Sequence, residues 1–549
     1  MKDKIRKDIV NCLKKLKLDF NDNFTVEIPN NQQHGDFSTN VALVNAKLNK
    51  MKPREMAEEM IQVFNKKRHY KKAEVAGPGF LNFFMSNSFY HKYLVKIHNA
   101  KQDWGSSNYG KKRKILIEFV SANPTGPLNV VSARAAAYGD TLFRVMNFLG
   151  FEAFREFYVN DAGNQVDILA ESVELRYREL HGDKLDDFPP EAYHGEYIKE
   201  LAAKLNVAEG SKLLHYSEKD RLEKMKNFAL EELHKMQVDS LQKFGVEFEN
   251  WMSEKKLRQE GILEEALSYL AEAKCTYEND DAVWFSSSKF GDEKDRVLIK
   301  CDGNPTYFVP DIAYHLTKFQ RGFDTMIDVL GPDHHGYVPR LKAAIQALSL
   351  DANKLEIVYL QHVNLFSGGQ QVKMSKRAGR IVTMDEVIDE VGKDAARYFF
   401  IDRKPSSHLN FDLQLAKKQT AENPVYYIQY AHARISSIRK KAKKSKINLK
   451  NFDTKLLKKL NLNEEIDLIK KMIEFPNILI GLANAREPHR LATYTHELAG
   501  MFHKYYAKHP IINSDEPQLS RARLYLILTV QNVLRIALNL MGINAPDKM

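Results

Sequence analysis

A compact apolar run, Ile115–Val120, leads straight into Ser-Ala-Asn-Pro-Thr-Gly-Pro and then into a long helix-like stretch that closes at Gly150. A second apolar run, Phe154–Val159, follows. Strand, tight loop, helix and strand in that order are the opening of a doubly wound α/β domain, and few other architectures accept it. Gly150 suits the left-handed residue that ends a helix. The α/β pattern returns at Val297–Lys300, Met326–Leu330 and Glu356–Leu360, after a charged, mostly helical insertion spanning about 165–295.

The flanks read differently. Ile5, Ile9, Cys12, Leu13 and Leu16 share one helical face, and Phe24–Ile28 is an extended run. Pro53 opens an amphipathic helix at a first-turn position, and 73–86 predicts two short strands around Gly-Pro-Gly. Residues 1–105 thus form a small α+β unit, with the Lys-rich run 101–114 as a linker into a domain at 106–415. From about 416 to 549 every segment reads as helix.

The 549 residues carry 82 basic and 71 acidic side chains, a net charge of +11. A polyanionic partner fits that excess, and so does a lysine-rich surface with no partner. The three cysteines, Cys12, Cys275 and Cys301, are widely spaced. A disulfide framework and a thiolate zinc site are therefore not expected, and no metal ligand set is assigned. The N-terminus has no continuous apolar core, and no apolar stretch is long enough for a bilayer. A cytoplasmic protein without membrane partners is the expectation.

The most specific local string is Val372-Lys-Met-Ser-Lys-Arg377, with Gly368-Gly369 before it and Gly379 after. Two lysines three residues apart suit phosphate oxygens, and the glycines permit a mobile loop. Positioned ammonium groups stabilise the charge that moves onto a departing pyrophosphate.

KMSK is a signature of class I aminoacyl-tRNA synthetases. EFVSANPTGPL (118–128), EFYVNDAGNQV (156–166), YFVPDIAYH (307–315), GPDHHGY (331–337), VKMSKRAG (372–379) and ENPVYYIQYAHARI (422–435) resemble, in order, blocks of the arginyl-tRNA synthetase family. HGDFSTNVAL (34–43), AGPGFLNF (76–83) and the final MGINAPDKM resemble its two ends. The resemblance implies a multidomain α/β protein: a Rossmann-type catalytic domain between an N-terminal tRNA-binding α+β domain and a C-terminal all-α anticodon-binding domain. It implies L-arginine, ATP with Mg2+ and tRNA(Arg) as partners, and a monomer. Lys373, Ser375 and Lys376 would serve catalysis. Asn129, Val131, Ser132, Gly331, Asp333, His334 and Met374 would line the ATP site. Glu118, Ser121, Asn123, Tyr307 and Asp311 would bind arginine, the last two at its guanidinium. Arg439, Lys440, Lys441 and Tyr430 would meet tRNA. From the residues alone, Asp311 could equally be a helix N-cap, Tyr430 a core aromatic, and His334-His335 a weak metal pair.

One departure stands out. Where the family has His-x-Gly-His, this chain has Asn129-Val130-Val131-Ser132. Asn and Ser donate only neutral hydrogen bonds, and a charge-assisted bond is roughly twice as strong. A loss of about 2 kcal/mol in the transition state slows adenylation by roughly one to two powers of ten. Val131 replaces a glycine that lets adenine lie against the backbone. Three readings stay open: a working ligase with a divergent signature, a tRNA-binding protein whose aminoacylation is weakened or lost, and a class I synthetase for another amino acid.

Overall fold

Five parallel strands carry the α/β part of the chain: β1 (Lys114–Glu118), β2 (Glu152–Val159), β3 (Asn250–Ser253), β4 (Thr325–Leu330) and β5 (Leu355–Tyr359). Their spatial order in this computed structural model is β5-β4-β1-β2-β3. The winding reverses between β1 and β4, and ligands of such sheets bind at that point, beyond the strands' carboxyl ends. Ile115, Leu116 and Ile117 of β1 are all buried, as a central parallel strand covered on both faces requires. Leu116, Phe323, Met326, Leu341, Ile345, Ala352 and Leu355 form one apolar cluster on this sheet. Each of these side chains larger than alanine contributes about 1.5–3 kcal/mol by leaving water. The structure describes residues 1–549 except 30, 185–187 and 373–381.

Helix α1 (Val130–Phe148) follows β1 and ends before Gly150, whose φ is +82°. It packs tightly on the strand's exit. A Cβ at Gly139 would lie 2.2 Å from the Phe119 ring. Helix α2 (Phe308–Gln320) precedes β4 and buries Phe308, Val309, Ile312, Ala313 and Leu316.

The stretch 165–295 differs from the expected helical insertion. It contains helices Asn164–Leu180, Glu196–Glu209 and Glu218–Lys243, but β3 also falls inside it and completes the central sheet. Ala282–Phe285 pairs with Thr276–Asn279 on one side and Arg296–Ile299 on the other in a separate antiparallel sheet. These strands are only four residues long, too short for an alternating pattern to stand out among charged helices.

The chain divides into two compact units. One comprises Met1–Trp104, Arg434–Glu474 and Gly500–Val533; the other comprises Gly105–Ala433, Phe475–Ala499 and Leu534–Met549. In the first, Phe37–Thr39, Phe80–Met85 and Tyr70–Ala76 form an antiparallel sheet with Val26–Glu27 at its edge. Helix Lys2–Lys15 buries Ile5, Ile9, Cys12 and Leu13, and Pro53 opens helix Pro53–Phe64. Trp104, expected within a linker, is instead buried, and its indole N–H donates to the Met472 carbonyl at 2.9 Å. The C-terminal segments are helices Pro424–Lys444, Asn463–Ala485, His489–Lys508 and Pro517–Leu540.

Candidate active site

Glu118 ends β1, and its backbone exit is strained. Val120 and Ser121 have φ of +72° and +38°, conformations that side chains with a Cβ seldom adopt. The bend turns Ser121 back, so that its Oγ donates to Glu118 Oε1 at 2.8 Å and accepts from the Tyr158 N–H at 3.1 Å. Glu118 Oε2 accepts from Lys318 Nζ at 2.5 Å. Asn123, farther along the loop, is exposed and donates to Gln165 Oε1 at 2.6 Å.

Asp311 lies inside the first turns of α2, whose N-cap is Tyr307, so the N-cap reading of Asp311 is set aside. Burial raises its pKa to about 6, with Glu118 and Glu254 adding to the rise and the Tyr337 hydroxyl and His315 opposing it. The Tyr337 hydroxyl donates to Asp311 Oδ2. Among the described residues no cation lies at ion-pair distance from this carboxylate. A partly buried acid with no cation beside it among the described residues is poised for a cationic ligand. Tyr307 is 71% exposed, and its ring reaches toward Gly163.

Asn129 is the N-cap of α1. Its Oδ1 accepts from the N–H groups of Val131 at 2.9 Å and Ser132 at 3.1 Å. Val131 is 38% exposed, whereas Ser132 is buried. The same segment is bound to the chain beyond residue 381: Val130 N donates to Val382 O at 3.3 Å, and Met384 N to Leu128 O at 2.8 Å. On the other side, Val372 N donates to Leu365 O at 2.8 Å. Gly368 and Gly369, with φ of +60° and +80°, form the turn of a hairpin that pairs Ser367 with Gln370. Lys373, Met374, Ser375 and Lys376 lie outside the described residues.

Gly331 follows β4, and a Cβ there would meet Asp333 Oδ1 at 2.4 Å. Asp333 and His334 are exposed, and His335 stacks on Tyr359 with centroids 3.7 Å apart. The two histidines thus point to different neighbours. On helix Pro424–Lys444, Arg439, Lys440 and Lys441 are exposed, and Tyr430 stacks on Tyr426 at 6.1 Å.

Sequence reasoning missed the groups behind these side chains. Lys318 and His315 on α2, Asp328 on β4 and Tyr337 all surround the acids named above. Asp311, His315 and Lys318 at i, i+4 and i+7 form a polar stripe on a mostly buried helix, which was the available signal.

Three family descriptions match in chain order: arginyl tRNA synthetase N terminal domain over 3–85, tRNA synthetases class I (R) catalytic domain over 94–439, and DALR anticodon binding domain over 428–549. The chain is 43% identical to arginine–tRNA ligase 1 of Halalkalibacterium halodurans, covering 100% of this chain and 99% of that one. It is 44% identical to the arginine–tRNA ligase of Syntrophotalea carbinolica, covering 95% and 94%. Its fold matches a structure described as a putative arginyl tRNA synthetase from Campylobacter jejuni with a TM-score of 0.78 at 35% identity, over 85% of this chain and 100% of that one. Thermus thermophilus arginyl-tRNA synthetase matches with a TM-score of 0.75 over 100% of both chains, at 21% identity, a likeness of fold. Full-length identity, the order of the three domains and the acids gathered at the sheet's switch point agree, and the chain belongs to the class I arginyl-tRNA synthetase family.

Proposed function

We propose that this chain is an arginine–tRNA ligase that joins L-arginine to tRNA(Arg) in two steps. The arginine carboxylate attacks the α-phosphate of MgATP, giving arginyl-adenylate and pyrophosphate. The terminal adenosine hydroxyl of tRNA then attacks the adenylate carbonyl, and AMP leaves. Positioning and charge stabilisation supply most of the acceleration. Asp311 receives the guanidinium with Tyr307 beside it, while Glu118, with Ser121 and Asn123 beside it, receives the α-ammonium group. Asn129, Val131, Ser132, Gly331, Asp333, His334 and Met374 line the nucleotide. Lys373 and Lys376, with Ser375 between them, neutralise the departing pyrophosphate. Mg2+ enters with ATP, held mainly by phosphates and water.

Residues 1–105 and 416–549 are the tRNA-binding ends of this reading, around a catalytic domain at 106–415. The lysine run at 439–446, with Arg439, Lys440 and Lys441, follows the phosphate backbone, and Tyr430 is offered to an unpaired base. Among the described residues no helix is long and apolar enough to cross a membrane. A cytoplasmic monomer is the form proposed.

The observation that carries the reading is Asp311, a partly buried carboxylate with its pKa raised to about 6 and no cation among the described residues at ion-pair distance from it. Arginine-dependent ATP–pyrophosphate exchange, measured with tRNA present, tests it. Exchange above background with arginine is expected. Bound tRNA with no exchange would leave the second reading, a tRNA-binding protein without aminoacylation. The capped state of Asn129 favours that second reading, because the first-turn N–H groups of Val131 and Ser132 already have an acceptor. Exchange with another amino acid and not arginine would point to a different class I specificity.

A further inference from the structure

Lys318 is fully buried and joins two strands that are neighbours in the sheet. Its Nζ donates to Glu118 Oε2 on β1 at 2.5 Å and to Asp328 Oδ1 on β4 at 2.8 Å. The ammonium also sits 4.3 Å from the centre of the Tyr314 ring. Asp328 Oδ2 lies 2.9 Å from His315 Nε2, and His315 Nδ1 lies 2.7 Å from the backbone carbonyl of Asp311. Asp311, His315 and Lys318 occupy one face of α2, the first and last separated by about 10 Å of helix rise. A single rigid element therefore carries the guanidinium acceptor and the cation that grips Glu118.

We infer that Lys318 is a positioning residue for arginine: clamped between Glu118 and Asp328, it holds the Glu118 carboxylate in the one orientation that receives the substrate's α-ammonium. This rests on the reading of Asp311 and Glu118 as the acids of the arginine site. Lys318 takes Oε2 alone. Oε1, steadied by Ser121, keeps acceptor capacity for a second ammonium. Burial alone would drive Asp328 up, but Lys318 and His315 outweigh it and bring the carboxyl down to about 2. Without Lys318, Glu118 and Asp328 would face each other without their shared cation, and one would take up a proton. A protonated or rotated Glu118 loses its attraction for the amino group. The contacts to Asp311 on the same helix are left in place.

The test compares L-arginine with 5-guanidinovalerate, which keeps the guanidinium and carboxylate but lacks the α-amino group. Lys318→Met in the full chain is expected to raise the KM for arginine in exchange at least tenfold. The KM for ATP and the inhibition constant of 5-guanidinovalerate should stay within about twofold of wild type. Lys318→Arg, which restores the cation, should recover part of the loss. Equal weakening of both ligands, or an unchanged KM for arginine in folded protein, overturns the inference. If Lys318→Met does not fold, Asp328→Asn carries the same comparison: it removes one side of the clamp and leaves the Lys318–Glu118 pair. An arginine-selective loss supports the inference, and no selective loss overturns it. Calorimetry separates the two readings. Wild-type protein that binds arginine without exchange sinks the ligase reading alone, and the comparison then runs on dissociation constants. Wild-type protein that binds no arginine overturns both.

Discussion

The Asn129 carboxamide oxygen accepts the backbone N–H of Ser132 at 3.1 Å, as well as that of Val131, and so caps the helix that follows the first strand. A helix N-terminus is an anion site, and here a neutral oxygen of the chain itself occupies two of its donors. Asn129→Ala is expected to lower stability by about 1 kcal/mol in urea unfolding through loss of the cap. Asn129→Asp keeps the cap but sets a negative charge before the triphosphate. Its KM for ATP should rise about tenfold, roughly the 1.4 kcal/mol that separates powers of ten, with stability unchanged. An unaltered KM for ATP would show that the phosphates do not approach this helix end.

Asp311 makes arginine binding sensitive to pH. Burial, with Glu118 and Glu254 nearby, raises it from 3.8 to about 6 against the opposing effects of Tyr337 and His315. In the ligand-free chain the protonated form stabilises the fold below pH 3.8, and that contribution is lost as pH rises through about 6. Guanidinium binding needs the ionised form, so affinity moves the other way and grows as pH rises through about 6. Calorimetry from pH 5 to 7.5 should show weakening toward tenfold per unit on the acid side. Asp311→Asn should flatten that profile and cost about 1.5–3 kcal/mol of arginine binding at neutral pH.

Tyr337→Phe removes the hydroxyl that donates to Asp311 Oδ2. That bond favours the ionised carboxylate, so its loss should move the midpoint of the arginine pH profile upward while the KM for ATP holds. A midpoint that stays in place would assign the profile to another group.

Arg397 is fully buried. It pairs with Asp140 and donates to the carbonyls of Met541 and Phe244 at 2.8 and 3.2 Å. Gly542, with φ of +68°, lets the chain pass so close that a Cβ would lie 2.4 Å from the guanidinium. Gly542→Ala is expected to destabilise by at least about 1 kcal/mol. Arg397→Met should cost about 3 kcal/mol, the low end for a broken buried pair, because Arg144 and Arg155 still hold Asp140. Urea unfolding reads both.

Lys440 and Lys441 sit exposed on their helix. The double change to Ala should weaken tRNA binding across sequences. It should also make the slope of log affinity against log salt shallower by about 1.5, as expected for two lost phosphate contacts. Filter binding at several salt concentrations measures it.

The doubly wound start of the catalytic sheet was legible in the chain because apolar runs and a terminal glycine are local signals: Ile115–Val120, Gly150 and Phe154–Val159 each announce themselves. So was the family, because its blocks are contiguous strings. Asp311 and Glu118 could be named, but not why they differ. Among the described residues the first has no cation at ion-pair distance, and the second shares Lys318 with Asp328, 210 residues farther along the chain. The partners and burial of these acids arise when β1 and β4 are brought side by side and α2 is laid across them. Charge pairing in a protein interior depends on distance through space, and linear order carries no record of it until the sheet is assembled.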